Sequence, residues 1–126
     1  MSHGLYAIVR CVQNTMVGEF INVGVIVLDT VSGEWGFKQI RNYNHLKLLA
    51  KENEIQWVED FFNSLPTKPV NYAPRAGSDT EQAPNWLVAL CGSLRSVIQL
   101  SKPLPTKFTS VEDEIDSCFK MFILED

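Results

Sequence analysis

The sequence predicts one α+β domain: an antiparallel sheet of about four strands with three to four helices packed on it. Three observations lead there. Residues 1–40 hold three β-prone runs separated by turn chemistry. Beyond residue 43 the apolar spacing lengthens to the helical period. The chain has 126 residues, the size of a single domain, so 1–126 reads as one unit. A domain of this length buries roughly 65–70% of the surface its unfolded chain exposes, so it folds without a disulfide or metal.

Residues 5–12 (Leu-Tyr-Ala-Ile-Val-Arg-Cys-Val) are apolar on both faces except at Arg10. That pattern predicts a central strand covered on both sides. Residues 13–19 carry turn residues, with Asn14 and Gly18 suited to positive φ. Residues 20–29 are the most β-prone stretch, Asp29–Gly33 a second turn, and residues 34–40 a third strand. The amino-terminal half is therefore a three-stranded meander.

Residues 44–51 predict a short helix capped by Asn44. Residues 54–65 predict a longer one, with Asn53 and Gln56 as a capping box and Ile55, Val58, Phe62 and Leu65 on one face. Four of the six prolines (Pro66, Pro69, Pro74, Pro84) fall in residues 66–84, which read as a surface loop. A helical segment follows at 85–91, then a fourth strand at 94–100 and an extended bridge at 102–106. The last helix opens at Ser110 and buries Val111, Ile115, Cys118, Phe119, Phe122 and Ile123 at i, i+4, i+7, i+8, i+11 and i+12.

Composition removes several function classes. The net charge is −4, from 11 Lys and Arg against 15 Asp and Glu. The basic stripe that phosphate neutralisation needs is absent, which argues against nucleic acid. The longest apolar runs are strand-sized, and the start has no signal-peptide pattern, so neither membrane insertion nor export is expected. Cys11, Cys91 and Cys118 match no zinc or redox spacing and read as buried thiols in a reducing compartment. Gly18, Gly24, Gly33 and Gly36 make no dinucleotide or phosphate loop, so no cofactor is called for. His3, placed at a frayed terminus, and His45 stand apart from any base or ligand set. Glu112 with Asp116, and Asp113 with Ser117, have a spacing that suits a solvated first helical turn rather than a metal site.

The polar residues of the first hairpin form the candidate site. If Val12 pairs with Phe20, Arg10 faces Asn22 and Ile8 faces Gly24, with Glu19 near the loop. Gly24 then leaves a notch where backbone or ligand can approach. A charge within apolar strands needs partners. The structural reading is an Arg10–Glu19 ion pair, with Asn22 tying the loop backbone. The functional reading is a recognition site for a carboxylate, a phosphate or a partner backbone, with Arg10 as a forked donor.

The segment Tyr6-Ala-Ile-Val-Arg10, followed by Gly18-Glu-Phe-Ile-Asn-Val-Gly-Val25, resembles the opening of a bacterial family catalogued as domain of unknown function 3037. The stretch Ser93–Leu100 and the closing acidic-to-aromatic helix resemble that family's ending. Gln13 stands where the family usually has proline, and Val17 where it usually has arginine. The resemblance implies a small bacterial cytoplasmic protein, with a kinase resembling the HipA toxin as candidate partner. It implies no reaction. The expected function is a non-enzymatic protein-interaction module, acting through the hairpin around Glu19 and Asn22 or through residues 66–84. The alternative is a small enzyme with its site around Arg10, Glu19 and Asn22.

Overall fold

The computed structural model describes residues 2–14, 19–41, 43–48, 50–73, 83–94 and 97–123. Strands β1 (Ser2–Asn14), β2 (Glu19–Asp29) and β3 (Trp35–Gln39) form the predicted meander. Strands β4 (Ile98–Leu100) and β5 (Leu104–Phe108) complete a five-stranded antiparallel sheet. Its order is β3-β2-β1-β4, with β5 also on β1. β1 is thus central: β2 runs along one flank, and β5 and β4 share the other.

The turn between β2 and β3 rests on Asp29. Its Oδ1 accepts from the Val31 amide at 2.9 Å and the Ser32 amide at 3.1 Å. Gly33 closes the turn with φ +82°, a conformation that glycine adopts without steric cost.

Five helical segments follow the chain's period change: α1 (Asn44–Lys47), α2 (Glu52–Ser64), α3 (Lys68–Asn71), α4 (Trp86–Ser93) and α5 (Val111–Phe122). A 3-10 turn, Leu65–Thr67, links α2 to α3. None of the described helices is long and apolar enough to cross a membrane.

Helices cover both faces of the sheet. Adjacent residues of a strand point to opposite sides, so Gly36 and Phe37 report one face each. On the Gly36 face lies α5: Ile115 Cδ1 would be 2.8 Å from a Cβ on Gly36, and Phe122 stacks on Tyr6 with centroids 5.7 Å apart. On the Phe37 face a row of rings runs from α4 to α2. Trp86 meets Trp35 at 5.2 Å, Trp35 stacks on Phe37 at 6.3 Å, Phe37 on Phe62 at 5.7 Å, and Phe62 meets Phe61 at 5.4 Å. Each such contact adds about 0.5–1.5 kcal/mol beyond area burial. Double coverage explains why Ala7, Val9, Val25, Ile26 and Val27 are fully buried although they alternate in direction.

The helix caps show how local chemistry sets the ends. Asn85 Oδ1 accepts from the Val88 amide at 3.0 Å, and Ser110 Oγ from the Asp113 amide at 3.1 Å. For α2 the predicted box at Asn53 and Gln56 is displaced. Glu54 Oε1 accepts from the Lys51 amide at 2.8 Å, while Gln56 bonds Asp60 at 3.0 Å. Starting at Glu52 places Glu52 and Glu54 in the first turn, where the dipole favours negative charge. In α1 the Lys47 amide bonds the Tyr43 carbonyl, which puts Tyr43 rather than Asn44 at the cap.

Other expectations need correction. The bridge at 102–106 is mostly strand, because β5 pairs with β1 from Tyr6↔Leu104 to Ser2↔Phe108. His3 consequently lies in β1 opposite Lys107 rather than at a frayed end. The fourth strand covers only Ile98–Leu100, since α4 extends to Ser93 and takes Leu94 as its cap. Residues 66–71 of the expected loop are helical, with Pro66 and Pro69 in first-turn positions that need no amide proton. Residues 74–82 of that loop lie outside the described residues. Between β4 and β5 the ladder continues through Ser101: its amide donates to Ile8 O at 2.9 Å, and its Oγ accepts from the Ile8 amide at 2.8 Å.

Candidate functional site

The predicted pairing of Arg10 with Asn22, and of Val12 with Phe20, is observed. The predicted pairing of Ile8 with Gly24 is not. A β-bulge places Val23 between the partners of Val9 and Arg10, so Gly24 pairs with Val9 and Ile8 with Val25. The extra residue reverses the facing, and Gly24 joins the α2 side of the sheet, away from Arg10 and Asn22. Its notch is filled. A Cβ there would stand 2.6 Å from Phe62 Cζ and 2.8 Å from the Lys38 carbonyl oxygen.

Asn22 ties a helix rather than a loop. Its Nδ2 donates to the Phe122 carbonyl oxygen at 2.9 Å, capping the end of α5. That bond fixes the amide's orientation, because a carbonyl accepts only from the NH2 side. Asn22 Oδ1 is left buried with no hydrogen-bond partner.

Arg10 stands over Phe20, with its guanidinium carbon 4.4 Å from the ring centroid. Such a contact contributes about 0.5–2 kcal/mol, depending on desolvation. Its Nε is buried and makes no hydrogen bond. On its other flank Arg10 pairs with Gln99 of β4. Asn22, Arg10 and Gln99 therefore stand side by side across β2, β1 and β4. The backbone of Glu19 pairs with Asn14, while its side chain lies outside the described residues, and with it the expected ion pair.

Sequence reasoning missed Phe20, Gln99 and Phe122 as members of this cluster. Phe20 was visible as the register partner of Val12. Gln99 carried a signal in its polar side chain between Ile98 and Leu100, both buried. Phe122 takes part through its backbone carbonyl, which no side-chain pattern announces.

Among the described residues the remaining reactive groups do not converge. Burial pushes the thiols of Cys91 and Cys118 up to about 12 and that of Cys11 to about 11, with smaller contributions from Glu114 at Cys118 and Glu54 at Cys11. Such thiols are poor nucleophiles. Asp116 pairs with Lys38 at 3.4 Å, and Glu114 accepts from the Thr106 hydroxyl. No group of three or more His, Cys, Asp and Glu side chains among the described residues could hold a metal ion. The side chain of His45 lies outside the described residues.

Residues 6–123 match the family described as "Protein of unknown function (DUF3037)". The chain belongs to this family. The DUF3037 match takes in the Arg10–Asn22 pair, the whole ring row and α5, so the helices and all of the sheet except the first residues of β1 fall within the family region. Neither a curated protein nor a solved structure matches the chain.

Proposed function

We propose that the chain is a non-enzymatic protein-interaction module of the bacterial cytoplasm, docking a partner at Arg10, Phe20 and Asn22. The observation that carries this reading is the state of Phe20. A large aromatic ring, 46% exposed, is held beneath a guanidinium at the end of the β1–β2 ladder. Aromatic and arginine side chains are the residues that anchor protein interfaces, and a ring held in place loses little entropy on docking. Beside it, a buried Nε–H and a buried Oδ1 are each unpaired, at a cost of about 1–3 kcal/mol apiece.

The partner we propose is a kinase resembling the HipA toxin, as the family resemblance suggests. A reducing compartment accords with three free cysteines. The enzyme alternative draws less support, since Gly24 faces the other layer and opens no cleft beside Arg10 and Asn22.

The test is calorimetric titration of the chain with a purified HipA-like kinase from the same host. Saturable binding is expected, weakened about tenfold or more by Phe20→Ala, which stays folded at the assay temperature although loss of the Arg10 contact lowers its melting temperature. Absence of binding, or equal binding by the variant, overturns the proposal.

A further inference from the structure

Among the described residues β3 has one neighbour in the sheet, so its outer side is an edge. The ladder shows which of its groups face outward. Asp29 N–H donates to the Glu34 carbonyl, and Ile40 N–H to the Val23 carbonyl. Antiparallel pairing alternates, so Glu34, Gly36, Lys38 and Ile40 turn their backbone groups toward β2. Trp35, Phe37 and Gln39 turn theirs away from it. Along this edge runs a groove of about 320 Å³, whose far wall is the first half of α5. Gly36 and Ile115 form an apolar part of its lining; Glu34, Lys38, Glu112 and Asp116 supply its charge.

We infer that this groove binds an extended, basic peptide segment of another protein, which adds to the sheet as a strand beside β3. Strand addition draws its affinity from main-chain hydrogen bonds at an open edge and its selectivity from alternate side chains. Both are present. The outward groups of Trp35, Phe37 and Gln39 form the hydrogen-bonding template. Ile115 Cδ1 fills the space over Gly36, so a guest residue opposite Gly36 on that face packs against Ile115. The charge selects a basic guest. Glu34, Glu112 and Asp116 line the groove, and Lys38, the one cation among its described lining residues, is engaged by Asp116 at 3.4 Å. The same charge disfavours pairing with a second copy, because two acidic grooves would meet. This site is separate from the Arg10–Phe20 end of the sheet and does not depend on it.

The test uses a fluorescein-labelled peptide of four Lys-Val repeats, followed by anisotropy and by amide hydrogen exchange of the full chain. Saturable binding is expected, with slowed exchange at Trp35, Phe37 and Gln39. The double variant Glu34→Gln with Glu112→Gln changes two exposed side chains and is expected to weaken binding about tenfold at low salt. A Glu-Val repeat, and a Lys-Val peptide with N-methyl groups on alternate residues, are expected not to bind. Absence of binding, equal binding of the methylated or acidic peptide, or protection confined to other strands overturns the inference. So does sedimentation showing a dimer that already protects the β3 edge.

Discussion

Asn22 and Phe122, a hundred residues apart, are joined by one side-chain hydrogen bond of 2.9 Å. It fixes the end of the last helix to the strand that carries the candidate site.

Replacing Asn22 with aspartate keeps an oxygen at the Oδ1 position and leaves the Phe122 carbonyl without its donor. The expected loss is about 1 kcal/mol of unfolding free energy or more, since one such bond is worth about that much and a carboxylate oxygen would face the carbonyl. Urea denaturation measures it as a lower midpoint at unchanged slope. An unchanged midpoint would show that the bond contributes nothing.

Gly24→Ala is expected to destabilise by about 1–3 kcal/mol, as overpacking does. The new methyl meets the Phe62 ring and the Lys38 carbonyl oxygen. Adding Phe62→Leu relieves the first contact and not the second. A double-mutant cycle should therefore show favourable coupling without full recovery.

The Asp29 carboxyl is held below its ordinary value of 3.8, by the Ser32 amide first and the Val31 amide second. A depressed value in the folded state stabilises the protein above the unfolded value, and the gain is lost as pH falls through the folded one. Asp29→Asn keeps an acceptor and removes the charge. Its melting temperature should lie below the wild type at neutral pH, with the gap closing below pH 3.8. Thermal melts across that range check the sign.

The three cysteines should resist an aromatic disulfide reagent at pH 8 in the folded protein, because burial suppresses the thiolate. Adding denaturant should release all three together. Prompt reaction of Cys91 in the native state would contradict its raised value.

The sequence was most legible where structure is local. Ser110 caps α5 through a bond three residues long, and the apolar stripe of α5 repeats without interruption, so both could be read directly, whereas Asn85 was read as helix and is the cap of α4. The Arg10–Asn22 pairing was legible because the turn and the alternation agree near the loop. Past Val23 the same arithmetic failed, since a bulge is set by how two strands twist together. β5 was hidden by Pro103 and Pro105. An edge strand tolerates proline where its nitrogen faces outward, and only the partner strand shows that this is an edge. Gly24 looked like a vacancy because its occupant, Phe62, comes from a helix 38 positions later.

The place of β1 between two ends of the sequence has a consequence for synthesis. The first hairpin leaves the ribosome early, with one flank of β1 bare. That flank is covered only when residues 98–108 emerge. At about 5–20 residues per second the wait lasts several seconds, during which an exposed strand can recruit other nascent chains. Translation halted before β4 should yield a polypeptide that depends on chaperones, whereas a halt beyond β5 should release one whose first strand is already sealed.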